Sequence, residues 1–150
     1  MAATTITIPA EYGYTLAVSV FSTVLLTVFG HKVGAYRKTA GVPLPQMYAD
    51  EAEAKQDKKK MIFNCKQRVH QNTLEGYPSF LLTLVVSGLR YPIAAPVLGM
   101  IWCVGRMAYS YGYTSGDPSK RQLGAWGHIG DVGLLGLTGK IAYDMIVSTL

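Results

Sequence analysis

The chain carries long apolar segments separated by one strongly polar stretch, which lies between residues 31 and 68. The clearest apolar segment, residues 12–30, contains no charged side chain in 19 residues. A helix of that length, at about 1.5 Å per residue, reaches across a hydrocarbon core of about 30 Å. Two later segments, 91–113 and 123–150, contain only one and three charged side chains. This pattern predicts several helices that cross a membrane.

The apolar segment that ends at residue 90 is too short by itself to be a membrane-crossing helix. Its uncharged part, residues 77–89, is 13 residues long and as a helix covers only about 20 Å. Apolar positions continue upstream from Leu74 to Met61, so we expect the helix to begin earlier and to contain the polar run 68–75, with a kink at Pro78. The sequence therefore predicts an all-α integral membrane protein with one four-helix domain, with spans at about 12–36, 62–90, 91–115 and 123–150 and a loop at about 37–61.

Charge predicts how these helices are oriented. Eleven of the 14 lysines and arginines lie in the first and third loops or at the helix ends beside them. By the positive-inside rule these two loops face the cytosol, and both termini lie across the membrane.

Composition supports a membrane protein and argues against two other classes. The chain is 49% hydrophobic and only 15% charged. Its net charge of +5 does not indicate nucleic-acid binding, because the tyrosines lie inside apolar segments and do not alternate with the basic residues. Cys65 and Cys103 have the spacing of neither a disulfide framework nor a zinc site, so we expect no metal.

The second predicted helix has two polar faces. At about 100° per residue, Arg68, Asn72 and Glu75 lie at relative angles of about 0°, 40° and 340°. His70 and Tyr77 lie near 200° and 180° on the same scale. The helix thus presents one stripe to one neighbour and a second polar face to another.

The third helix repeats such a stripe with Arg106, Tyr109 and Tyr113. Two interpretations are open. In the first, Arg68 and Glu75 form an ion pair and the tyrosines form an interfacial belt. In the second, the groups complement a small zwitterionic peptide, with arginine for a carboxylate, glutamate for an ammonium and asparagine for an amide.

Two motifs carry a family resemblance. RVHQNTLEGYP at 68–78 and GRMAYSYGYTSGDPSKR at 105–121 resemble the membrane-associated proteins of eicosanoid and glutathione metabolism, and most closely their microsomal glutathione S-transferase type 3 branch. The resemblance covers essentially the whole chain, including FNCKQR at 63–68. It implies a homotrimer of four-helix subunits in the endoplasmic reticulum or nuclear envelope, with glutathione as co-substrate between subunits near the cytosolic face.

The resemblance also assigns roles to individual residues. It implies that glutathione is held by residues of the second and third helices, namely Arg68, Asn72, Glu75, Tyr109 and Tyr113. It implies a contribution from the adjoining subunit by Arg37, Lys38 and His70. The chain departs from leukotriene-forming relatives by having Gly76 where they carry tyrosine and His70 where they carry glutamine. We therefore do not infer leukotriene synthesis.

The catalytic residue of the family is an arginine just beyond the third helix, whose charge favours the glutathione thiolate. It corresponds to Arg121 if one residue is inserted after Tyr113, and to Lys120 if none is. We prefer Arg121, because an arginine stays protonated where a lysine can lose its proton. A nearby cation lowers a thiol pKa from about 8.5 toward neutrality.

Three functions are compatible with these residues. The first is a membrane-bound glutathione transferase that also reduces lipid hydroperoxides with glutathione; its lipophilic electrophile is not set by composition. The second is a non-catalytic lipid-presenting scaffold resembling the lipoxygenase-activating protein of the same superfamily. The third is a small proton or ion carrier that uses Arg106, Asp131 and Lys140.

Glycines recur every three residues in the last segment, from Gly124 to Gly139. Small residues at such a spacing let helix backbones approach closely. We expect the stripe to pack against another helix.

Overall fold

The computed structural model describes residues 7–148, and within that range it contains helices and no strands. The all-α class predicted from the sequence is therefore confirmed. The helices are α1 Tyr12–Ala40, α2 Glu51–Gln56, α3 Lys58–Arg90, α4 Ala94–Tyr113 and α5 His128–Val147, with a 3₁₀ segment, Pro118–Gly127, between α4 and α5. The last predicted span extends to residue 150, and its residues 149 and 150 lie outside the described range.

The first loop is shorter than the sequence pattern predicts. Helix α1 continues to Ala40 and ends because Gly41 takes a left-handed conformation, φ 63°, with its N–H bonded to the last carbonyls of the helix. Within the loop, the Asp50 carboxylate accepts the N–H groups of Ala52 and Glu53 and so starts the short helix α2. Ordered structure thus occupies both ends of the segment predicted as a loop.

Helix α3 is the long element of the bundle, with 33 residues. The Asp57 side chain caps its first turn by accepting the Lys59 N–H at 2.7 Å. The polar run 68–75 lies well inside the helix, and the helix continues through Pro78. The expectation that α3 begins upstream of the polar run is confirmed.

The last predicted segment begins as a 3₁₀ segment and becomes α-helical only at His128. Glycines explain how this part packs on α4. A Cβ on Gly124 would lie 2.4 Å from the Gly105 carbonyl oxygen, and one on Gly130 would lie 2.5 Å from that of Leu98. The predicted close packing is confirmed there, whereas Gly136 has no atom within 4 Å of its Cβ position.

An aromatic cluster holds the helices together. The Phe80 ring of α3 stacks on the Trp102 ring of α4 with centroids 3.8 Å apart, and Val18 of α1 and Leu134 of α5 belong to the same buried cluster. A second cluster, around Phe63 and Val33, lies under the first loop. Every long helix therefore contributes to a shared core.

The outer faces of α1 and α5 are apolar and uncovered in the single chain. Val20 and Leu135 are 65% and 63% exposed, which suits contact with lipid or another subunit better than contact with water. Within residues 7–148, α1 is the one helix that is long and apolar enough, by length and composition, to cross a membrane. Polar positions inside α3 lower its apolar content below that level. The number of four spans therefore stays a prediction.

Candidate functional site

One polar face of α3 is occupied by an ion pair. Arg68 Nη1 lies 3.1 Å from Glu75 Oε1, and the two side chains are 43% and 50% exposed. This is the intrahelical pair that the first interpretation of the stripe predicts. So exposed a pair contributes about 0–1 kcal/mol to stability, and a ligand that brings its own carboxylate and ammonium can replace it at little cost.

The opposite polar face of α3 lies against α1. The Tyr77 hydroxyl hydrogen-bonds Ser22 Oγ at 3.1 Å and Thr23 Oγ1 at 2.8 Å. His70 Nε2 lies 3.2 Å from where a Cβ on Gly30 would be. The prediction of two faces with two neighbours is confirmed, and the neighbour at this face is a helix of the same chain. The expected contribution of His70 to an adjoining subunit stays a prediction.

Arg106 of α4 joins α3 through hydrogen bonds. Its side chain is buried, with 8% of its surface exposed. Nη2 donates to Asn72 Oδ1 at 2.7 Å and to Thr73 Oγ1 at 2.8 Å, and Nε donates to Thr73 Oγ1 at 3.2 Å. The sequence places Arg106 on the α4 stripe but does not reveal that it fixes Asn72. One feature of the sequence does indicate a role for Arg106: it is a lone charge in an apolar helix, and such a charge is costly and tends to be functional.

The tyrosines of α4 complete this face. The Arg106 guanidinium carbon lies 4.5 Å from the centre of the Tyr109 ring, and the Tyr109 and Tyr113 rings are 5.4 Å apart. Arg68 lies on α3, and Arg121 lies on the 3₁₀ segment that follows α4. The structure thus places Arg106, Tyr109 and Tyr113 together on one face of α4.

Arg121 and Lys120 differ in their surroundings. Asp117 begins the 3₁₀ segment by accepting from Ser119 N and Oγ at 3.0 and 2.7 Å, and these hydrogen bonds hold the pKa of the Asp117 carboxyl below its ordinary value. Lys120 Nζ lies 3.9 Å from the same carboxylate. In the described part of the chain Arg121 forms no ion pair, so its charge is not shared with a carboxylate.

Arg37 and Lys38 lie at the end of α1 and away from the Asn72 face. Arg37 donates to the Gln46 backbone carbonyl, and its guanidinium carbon is 4.8 Å from the centre of the Phe63 ring. Lys38 is exposed. Their predicted role toward an adjoining subunit is untested in a single chain.

The polar residues of α5 pair within that helix. His128 Nδ1 lies 3.0 Å from Asp131 Oδ2, and Lys140 Nζ lies 2.9 Å from Asp144 Oδ2. Each pair joins side chains about one helical turn apart, so Asp131 and Lys140, which the ion-carrier alternative invokes, both have partners on their own helix. Across residues 7–148, no three His, Cys, Asp or Glu side chains are grouped as metal ligands.

These features first define a class of protein. Helices with apolar outer faces carry a cationic, tyrosine-bearing site where α3 and α4 adjoin, as in a membrane-associated helical protein. The model of the MAPEG family matches residues 15–143, and the chain belongs to that family. A similar protein is "Uncharacterized protein sll1147" of Synechocystis sp., 32% identical over 97 residues. That match covers 64% of this chain and 64% of the length of the relative.

Proposed function

We propose that the chain is a membrane-bound glutathione transferase of the microsomal type 3 branch that also reduces lipid hydroperoxides. We further propose that it works as a homotrimer of four-span subunits in the endoplasmic reticulum or nuclear envelope, with loops one and three in the cytosol. One observation supports the enzyme above all. The exposed Arg68–Glu75 pair, the fixed amide of Asn72 and the Arg106–Tyr109 contact lie on adjoining faces of α3 and α4.

The site suits a small zwitterionic peptide. Glutathione offers carboxylates to Arg68 and an ammonium to Glu75, so binding exchanges one exposed ion pair for two charge-assisted contacts. Asn72 Oδ1 is taken by Arg106 at 2.7 Å, which leaves the Asn72 NH₂ as the donor for a peptide carbonyl. Tyr109 and Tyr113 support the peptide from α4.

The chemistry begins with the glutathione thiol. Arg121 stabilises the thiolate, which attacks a lipophilic electrophile; a sulfur–carbon bond forms and the leaving group departs, or an epoxide opens and takes a proton from water. With a hydroperoxide, the thiolate sulfur attacks the terminal oxygen, the O–O bond breaks, and the leaving alkoxide takes a proton from water to become the alcohol. The resulting sulfenic acid condenses with a second glutathione to give the disulfide and water.

Arg121 is preferred to Lys120 for this role. Lys120 lies beside the Asp117 carboxylate, which offsets its charge, while Arg121 forms no ion pair among residues 7–148. Arg37, Lys38 and His70 are proposed to complete the site from the adjoining subunit.

The experiment measures glutathione binding, conjugation of a chlorodinitrobenzene and reduction of an organic hydroperoxide by the detergent-purified protein. Arg121→Ala and Lys120→Ala form the matched pair. We expect Arg121→Ala to lose about tenfold in turnover for each unit that the thiol pKa rises toward 8.5, with glutathione affinity largely kept. Lys120→Ala stays active.

Other outcomes contradict parts of this proposal. An inactive Lys120→Ala beside an active Arg121→Ala would exchange the two roles. Glutathione binding without turnover would favour the lipid-presenting scaffold. No glutathione binding, together with proton flux in liposomes, would replace the enzyme by an ion carrier.

A further inference from the structure

A groove of about 690 Å³ opens between α1, α3 and α4, on a different side of α3 from Arg68. Its lining passes along α1 from Leu25 and Val28 to Lys32, and along α4 from Met107 to the hydroxyl of Thr114, with Lys66 contributed by α3. It is therefore amphipathic along its length. The proposed glutathione site uses neither lysine.

The lysines give the groove an unbalanced positive charge. Both line the same groove, and no carboxylate lines it. Among residues 7–148 neither lysine forms an ion pair, although five other lysine and arginine side chains do. Lys66 Nζ lies 5.1 Å from the centre of the Tyr36 ring, which holds it beside the groove.

The dimensions point to a lipid and away from a soluble anion. From Lys32 to Leu25 the groove descends seven residues of α1, or about 10 Å. One leaflet of the hydrocarbon core is about 15 Å deep. A charged group at the lysines would therefore have an apolar channel below it for about two-thirds of a leaflet.

We propose that this groove binds one anionic phospholipid of the bilayer. Its phosphate lies between Lys32 and Lys66, and one acyl chain follows Val28 and Met107. Two lysines beside an anionic headgroup give a preference over a zwitterionic lipid of the same chains of about thirty-fold in Kd, or about 2 kcal/mol at 1.4 kcal/mol per tenfold. Binding of this lipid does not depend on the proposed enzyme activity.

The test titrates the detergent-purified protein with phosphatidylglycerol and with phosphatidylcholine of identical chains, read by native mass spectrometry. Lys32→Gln/Lys66→Gln removes the headgroup contacts, and Lys58→Gln/Lys59→Gln removes two exposed lysines at the start of α3 as the matched control. Val28→Trp fills the apolar channel and leaves both lysines. We expect the first variant to lose the thirty-fold preference, the control to keep it, and Val28→Trp to weaken both lipids.

Several results would overturn the proposal. Full phosphatidylglycerol affinity in Lys32→Gln/Lys66→Gln or in Val28→Trp would remove the groove as the site. Displacement of the lipid by millimolar inorganic phosphate would show a soluble-anion site. A fall in oligomeric mass of Val28→Trp with lipid binding intact would show that a second copy of the chain covers the groove. Thermal unfolding identifies a variant that fails to fold. If Val28→Trp does not fold, Lys32→Gln/Lys66→Gln tests the site, and the reverse holds if the lysine variant does not fold.

Discussion

Replacing Arg106 by methionine should impair glutathione binding more than folding. The substitution keeps an apolar side chain that reaches as far as the Nε position of arginine, and it removes the charge and its three hydrogen bonds. The bond to Asn72 Oδ1 is the one that reaches the proposed site. Without it the Asn72 amide can rotate, and its NH₂ group no longer points at the ligand.

The expected rise in the KM for glutathione follows from the hydrogen bond between Arg106 and Asn72. A hydrogen bond with a charged partner is worth about 1.5–3 kcal/mol. If about 2 kcal/mol of positioning is lost, the KM for glutathione rises about thirty-fold. Stability changes less, because removing a buried guanidinium that is 8% exposed also removes its desolvation cost, which offsets the unpaired Asn72 and Thr73 oxygens.

The assay measures the KM for glutathione, kcat and thermal unfolding in detergent. Arg90→Met is the control, because Arg90 is an exposed arginine at the far end of α3. Thr73→Val removes the other acceptor, whose hydroxyl also donates to the Val69 carbonyl at 2.7 Å, and should raise KM less than about threefold. Arg106→Lys should be intermediate, since one ammonium cannot hold both acceptors with the geometry of a guanidinium.

A double-mutant cycle separates positioning from packing. If Arg106 acts through Asn72, the KM of Asn72→Ala/Arg106→Met equals that of the worse single variant. An unchanged KM in Arg106→Met would refute the reasoning. So would a Thr73→Val variant that raises KM as much as Arg106→Met, because the effect would then come from the contact between α3 and α4 as a whole.

Three further predictions concern the scaffold. Gly124→Ala should lower the melting temperature, because its Cβ would lie 2.4–2.6 Å from Gly105 O, Tyr109 Cβ and Tyr109 N; Gly136→Ala, with open space at that position, should leave stability unchanged or raise it by up to about 1 kcal/mol. Tyr77→Phe should lower the free energy of unfolding by about 1–2 kcal/mol through lost hydroxyl contacts to α1, with the KM for glutathione unchanged; a raised KM would show that Tyr77 belongs to the site. Asp117→Ala should lower the melting temperature at pH 7. Because the folded pKa of Asp117 is depressed, its contribution exists above the unfolded value and disappears as the pH falls through the folded value, so a difference that persists at strongly acidic pH would contradict this account.

Features set within one helix were predictable from the sequence. The start of α3 upstream of residue 68 followed from the shortness of its apolar part, and the opposite directions of Arg68 and Tyr77 followed from helical periodicity. The glycine spacing indicated a close approach that Gly124 and Gly130 make. The two motifs, at 68–78 and 105–121, likewise indicated the family through the identity and order of their residues.

Contacts between helices required the tertiary structure. Periodicity gives the angle of a side chain around its own axis, but it does not give the distance or register of the next helix. That is why the bonds of Arg106 to Asn72 and Thr73, and the position of His70 beside Gly30, could not be predicted. The spacing of Arg68 and Glu75 likewise allowed either an ion pair or contacts to a ligand. Only the side-chain positions show that the two residues contact each other.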